Sequence, residues 1–233
     1  MNIESKKLVE FLSKIKGAEV GPNEIKMNFG PTLTVSAINT EQSVIVEAQM
    51  QPTEFTGYES LGTLAVDDLK TLITILGGFT KVSIEKNDNL LTLKEGGKTV
   101  QTILTNPEFI KEAPKKELQH EEILSVNAKT INDFISRAKL NKELTLKLKT
   151  LPKQLVLETD GKYKFTEILE APEAVGGVEV KVKSPFIGTI SEFGGPITLK
   201  LRSNYPIQVM EKLTSSTVSV VSAPLIDTPK TEE

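Results

Sequence analysis

The sequence predicts an α+β fold built from two similar halves. Three observations predict it. One amphipathic helical stretch occurs twice. Short β-branched runs, separated by turn signals, fill most of the remaining chain. One charged segment with two prolines sits near the middle.

The repeated stretch is KKLVEFLSKIK, Lys6–Lys16, which returns as KTINDFISRAK, Lys129–Lys139, at a constant offset (129 − 6 = 123). At about 100° per residue, Leu8, Phe11, Leu12 and Ile15 share one face, and Lys6, Glu10, Ser13 and Lys14 lie opposite. In the second copy Ile131, Phe134, Ile135 and Ala138 are the apolar face, and Lys129, Asp133, Ser136 and Arg137 the polar one. Any surface helix needs a solvated side. Basic residues at equivalent places in both copies ask for more than solubility.

In order along the chain, Gly21-Pro22-Asn23 is a turn, and EIKMNF, TLTVSAI and SVIVEAQM are strands. QPTEFTGYES is read as a connection and LGTLAV as a strand. A second helix follows in VDDLKTLITILGG, with Leu69, Leu72, Ile73 and Leu76 on one face and Gly77-Gly78 at its end. KVSIEK, NLLTLKE and KTVQTILT are strands joined by the hairpin turns Asn87-Asp88-Asn89 and Gly96-Gly97. Dense charge and two prolines mark residues 106–122 as the linker, with Phe109 and Ile110 as its apolar pair.

The second half repeats the order. ILSVNA is a strand before the Lys129–Lys139 helix. ELTLKLK, KQLVLETD and KYKFTEIL are strands, the last two joined at Asp160-Gly161, and EAPEAVGG is a loop before the strand VEVKVK. SPFIGTISEFGG is a short helix with Phe186, Ile190 and Phe193 inward. Aligning its Gly-Gly end with that of the earlier helix (194 − 77 = 117) puts Leu69, Ile73 and Leu76 on those three residues. ITLKLR, PIQVMEKL and TVSVVSAPL are the final strands. The boundaries that follow are 1–107, a connecting segment at 108–122, 123–227, and a tail at 228–233 expected to be disordered.

Composition excludes several classes. The 233 residues suffice for one large domain or two of about 110 residues. The absence of cysteine removes disulfides, thiolate metal sites and cysteine nucleophiles, and fits a reducing compartment. The opening MNIESKKLVEF has no long apolar run, so neither a signal peptide nor a membrane span is expected. The single histidine, His120 in KKELQHEE, is expected to be exposed and has no second histidine for a metal site. No GxxxxGK[ST], GxSxG or HExxH pattern occurs, and no acid/base pair can be nominated. Asp67-Asp68 reads as a helix cap before it reads as a metal site. The expectation is a non-enzymatic protein with no catalytic residue, metal or cofactor. A formal charge of −3 excludes nucleic-acid binding on bulk charge and requires any such contact to gather cations on one surface.

The order of elements resembles that of DNA sliding clamps of the proliferating-cell-nuclear-antigen type, including those of archaea and tailed phages, over about residues 1–227. SNYPIQVMEKL…TVSVVSAPLI, with Pro206 and Ala223-Pro224, resembles the family's C-terminal hairpin. SAINTEQSVIVEAQM, with Ile38, resembles a first-domain loop beside the partner pocket, and residues 106–122 resemble the interdomain connecting loop. The resemblance implies a ring, usually a homotrimer, that encircles double-stranded DNA without reading sequence and is opened by a clamp loader. It implies that Lys6, Lys14, Lys129 and Arg137 meet phosphates, with Lys7, Lys16, Lys139 and Lys70 on the flanks. The second helices present Asp67, Thr71, Thr74, Gly188 and Ser191 where the family tends to be basic, so a thinner basic lining is expected. By position, a pocket for short peptides of DNA polymerase and other clamp-binding proteins would include Ile38, Phe109, Ile110, Tyr205, Pro206, Ala223 and Pro224. The implied location is intracellular, with the replication machinery. The alternatives are a duplicated β-rich structural or interaction protein of viral origin that does not bind DNA, and a hydrolase with an unrecognised site.

Overall fold

Both copies of the repeated stretch fold as helices, and both bury the face that periodicity selects. In the computed structural model, which describes residues 1–17, 21–114, 118–139, 144–183, 187–188 and 190–225, α1 spans Ser5–Lys16 and α3 spans Ala128–Ala138. Between them lies α2, Leu69–Leu76. Leu8, Phe11, Leu12 and Ile15 of α1 are buried, as are Ile131, Phe134, Ile135 and Ala138 of α3. Full burial of each large apolar side chain is worth roughly 1.5–3 kcal/mol, which is what seats these short helices.

The chain forms two units, one of Met1–Lys115 with Met210–Val220, the other of Lys116–Val209 with Val221–Glu233. The first unit opens with β1 (Asn2–Glu4) and α1. It continues through β2 (Ile25–Phe29), β3 (Leu33–Ile38), β4 (Val44–Met50), a 3-10 turn at Pro52–Glu54, β5 (Phe55–Thr56) and β6 (Gly62–Val66). After α2 come β7 (Lys81–Asn87), β8 (Leu90–Glu95), β9 (Lys98–Ile103) and a 3-10 turn at Pro107–Phe109. One sheet has the order β5-β1-β7-β8-β9, and another runs β4-β3-β2-β6. Their pairings are antiparallel. Strict alternation in β2, β3 and β4 sends Met27, Val35 and Val46 inward and Asn28, Thr34 and Glu47 outward.

The second unit holds β10 (Glu122–Asn127), α3, β11 (Thr145–Leu151), β12 (Gln154–Asp160), β13 (Thr166–Glu170), β14 (Glu179–Val182) and β15 (Pro196–Leu201). The hairpin of β16 (Ile207–Lys212) and β17 (Ser216–Ser222) is shared out between the units. One sheet runs β13-β12-β11-β14, and β10 pairs with β15, all antiparallel. Among residues 184–195, Ile187, Gly188 and Ile190 are helical, and Ile190 and Phe193 are buried. Phe186, expected to point inward beside them, lies outside the described residues, as does the 228–233 tail.

Three local expectations change. QPTEFTGYES is not only a connection, because Phe55–Thr56 pairs with β1 as β5. A two-residue strand has no periodicity of its own and exists because β1 offers it an edge. The strand expected over KYKFTEIL begins only at Thr166. Thr159 closes the preceding loop instead: its N–H donates to the Phe165 carbonyl (3.0 Å) and its Oγ accepts from the Phe165 N–H (3.1 Å). His120 is half-buried, not exposed. Its Nε2 is 3.2 Å from the Pro206 carbonyl oxygen, and its ring meets Tyr205 edge-on at 5.8 Å. Burial lowers its pKa first of all, and the nearby Lys200 and Arg202 charges add to that.

The two halves satisfy one helix end by different chemistry. Ser5 Oγ donates to the Leu76 carbonyl at the end of α2. In the second half the position of Ser5 is Ala128. There Asn132 donates to the carbonyls of Ile190 (3.2 Å) and Phe193 (2.9 Å) instead. Phe193 is the residue that the Gly-Gly alignment equates with Leu76. The orphan carbonyl is conserved by geometry, and a different side chain answers it in each half.

Candidate nucleic-acid interface

The eight predicted cations all lie on helices or at a helix end, but most of them are not bare. On α1, Lys6 stands 3.9 Å from Glu10, one turn on, with both side chains exposed. Lys7 meets Glu54 of the Pro52–Glu54 turn at 2.8 Å. The hydrogen bond to Glu54 raises the Lys7 pKa. The same bond, with a further one from Ser215, holds Glu54 below its ordinary carboxylate value. Lys14 pairs with Glu211 of β16, and here burial is deep: the side chains are 17% and 2% exposed. Lys16 in the last turn is half-buried, and Lys70 on α2 is exposed.

On α3, Lys129 meets Asp133 at 3.1 Å, again one turn apart. Arg137 pairs with Glu167 of β13, with side chains 60% and 27% exposed, and its Nε also donates to the Asp133 carbonyl (3.2 Å). Lys139 caps the helix and is exposed. Lys16, Lys70 and Lys139 have no carboxylate within ion-pair distance among the described residues. The N-terminus of α3 is closed by Asn127, whose side chain accepts from the Lys129 N–H. Glu4 at the start of α1 makes no such bond. On α2, Asp68 accepts from the Thr71 N–H (3.0 Å) as its cap, while Asp67 accepts from Thr105 Oγ (2.7 Å).

Sequence periodicity located the cations and the two partners one helical turn away. It could not locate Glu54, Glu211 or Glu167. These lie on a turn and on strands far along the chain, and their own neighbourhoods give no signal that a helix will face them.

The seven predicted partner residues divide between the units. In the first, Ile38 ends β3 and is half-buried. Phe109 is 78% exposed, whereas the neighbouring Ile110 is buried. Of that pair, Phe109 is the side chain offered to solvent. In the second unit, Tyr205 carries the Arg202 guanidinium 5.1 Å over its ring and the His120 edge beside it. Pro206 and Pro224 are half-buried and Ala223 is exposed. Among the described residues no three His, Asp or Glu side chains group as a metal site, and no helix is long and apolar enough to cross a membrane.

No family model and no curated protein matches the sequence. Solved structures do match. The PCNA of A. fulgidus, solved with the C-terminal region of FEN-1 bound, superposes with a TM-score of 0.85 at 18% identity, over 97% of this chain and 98% of that one. The fold is that of the PCNA sliding clamps. The proliferating cellular nuclear antigen of Entamoeba histolytica gives a TM-score of 0.81 at 14% identity, over 97% and 98% of the two chains. A PCNA2–PCNA3 complex of Sulfolobus tokodaii gives 0.78 at 16% identity, over 96% and 99%. Two sheet-edge strands of this chain each expose an isoleucine among polar residues. β9 ends the five-stranded sheet with Ile103 73% exposed, and β13 ends the four-stranded sheet with Ile168 58% exposed.

Proposed function

We propose that this chain is a DNA sliding clamp, a non-enzymatic processivity factor. It encircles duplex DNA as a ring and tethers DNA polymerase and other replication and repair proteins. The observation that carries the reading is the clamp fold over essentially the whole chain, with cations repeated at equivalent positions of α1 and α3. Such cations meet phosphates without reading bases, and acids elsewhere keep the net charge negative, which suits sliding over gripping.

The edges β9 and β13 support assembly. An unpaired strand with an exposed isoleucine is a template for another chain. Two different edges that meet head to tail close into a ring when the rotation allows it. The Sulfolobus tokodaii complex of two PCNA chains supports association between clamp-fold chains, and the A. fulgidus PCNA with bound FEN-1 segment supports capture of short protein segments. Phe109, Ile38, Tyr205, Pro206, Ala223 and Pro224 are our candidates for that capture, while Ile110 is buried. A clamp loader would open the ring, and the protein would work inside the cell beside the replication machinery.

Light scattering tests the assembly. A homotrimer gives a mass near three times 25.6 kDa, and a strict monomer at high concentration overturns the ring. Changing Lys6, Lys129 and Arg137 together to alanine, and leaving Lys14 in its buried pair, should lower polymerase processivity with the ring intact. A second reading, a β-rich structural protein that does not bind DNA, draws on the internal pairing of five of the eight cations. Unchanged processivity in that variant would favour it.

A further inference from the structure

We propose that Glu54 and Glu167 are built-in competitors for the phosphate backbone: they occupy Lys7 and Arg137 and so set the strength and salt dependence of the DNA contact. This rests on the clamp reading. Its basis is the geometry of the ion pairs. Glu10 and Asp133 are helical neighbours of the lysines they meet, and any charged helix face produces such pairs. Glu54 and Glu167 are different, because each is delivered to its helix by another element.

Glu54 is held in place before Lys7 is considered. Its N–H donates to the Gln51 carbonyl (3.2 Å), and the Gln51 N–H donates to the Ser215 carbonyl (2.8 Å). Its carboxylate also takes a bond from Ser215. The turn that presents the carboxylate is therefore held independently of Lys7. Glu167 is fixed by the pairing of β13 with β12, opposite Leu157. Both cations keep substantial exposure, 47% for Lys7 and 60% for Arg137, so an incoming phosphate can reach them and must displace a carboxylate to do so. Lys14 is excluded from this exchange by its burial against Glu211. The consequence is a surface with many cations and little standing attraction, the property that lets a ring slide instead of sticking.

The test is binding of the assembled protein to an open-ended duplex oligonucleotide between about 50 and 200 mM salt. The variant carries Glu54→Gln with Glu167→Gln, which preserve shape and hydrogen bonding. The control carries Glu41→Gln with Glu173→Gln, two exposed glutamates outside the ion pairs, with the same change in net charge. The expected result is affinity about three- to tenfold above wild type at the low-salt end, with a slope of log K against log salt steeper by about 0.9 for each released cation that meets a phosphate. Adding Lys7→Gln to Glu54→Gln should cancel that residue's share. An affinity and slope equal to wild type overturn the proposal and leave the clamp reading standing, as does an equal gain in the control. Absence of duplex binding by wild type and variant alike removes the DNA reading itself.

Discussion

α1 and α3 began as the same helix by sequence, yet they stand in different electrostatic surroundings. Lys14 and Arg137 occupy equivalent positions, and each is met by a glutamate from a distant strand. In the first unit the pair is sealed: Glu211 is almost fully buried and Lys14 nearly so. In the second, Arg137 lies mostly in solvent. A buried pair is a commitment, because removing one partner strands the other charge. An exposed pair is an equilibrium that water, salt or phosphate can shift at little cost. The cation recurs in both helices, and the surrounding strands decided whether its ion pair is sealed or open to solvent.

That contrast is easiest to break by mutation of the two cations. Lys14→Met should destabilise the protein by about 1.5–3 kcal/mol, since buried Glu211 loses a charge-assisted hydrogen bond. Arg137→Met should cost about 0–1 kcal/mol. Urea unfolding of both variants decides it, and similar losses would mean that burial does not separate the pairs. Next in size is the carbonyl at the helix end that Ser5 serves in one half and Asn132 in the other. Asn132→Ala should cost about 1–2 kcal/mol and Ser5→Ala about 1 kcal/mol, readable as separate shifts of the unfolding midpoint.

Smaller effects concern charge alone. Under the clamp reading, Arg137→Gln added to Glu167→Gln should flatten the salt slope of duplex binding by about 0.9, while Lys14→Gln leaves the slope unchanged. A reversed order would show that the sealed pair opens on DNA. The least effect is in pH. Glu54 has its folded pKa depressed, by Lys7 first and Ser215 second. Its stabilisation is therefore present above the unfolded carboxylate value and fades as pH falls through the folded one. Glu54→Gln should remove part of the acid sensitivity of stability below about pH 5. A profile identical to wild type would mean that the Lys7 contact adds nothing to folding.

Much of the architecture was legible in the chain. The apolar faces of α1, α2 and α3, the alternation of β2 to β4 and the hairpin turns at Asp88 and Gly96 all follow from local rules, and both turn residues adopt positive φ. The resemblance to sliding clamps rested on the order of those elements, and the superpositions bear it out at identities where no single motif is specific. β1 and β5 were harder. Each is three residues or fewer, too short for a period, and each exists because the other, or β7, presents an edge. His120 reads as exposed among lysines and glutamates, and it is half-buried because Tyr205 and Pro206, distant in sequence, pack beside it.

By itself, then, the sequence determined where the longer helices and strands run, which faces they bury and that one helix recurs with its cations. Those properties are periodicities of the backbone, set within a few residues. Tertiary structure alone decided which cations remain available. Lys14 meets a glutamate 197 residues away and Arg137 one 30 residues away. Whether such a pair is sealed or open depends on how much water the intervening elements exclude, a quantity no local pattern encodes.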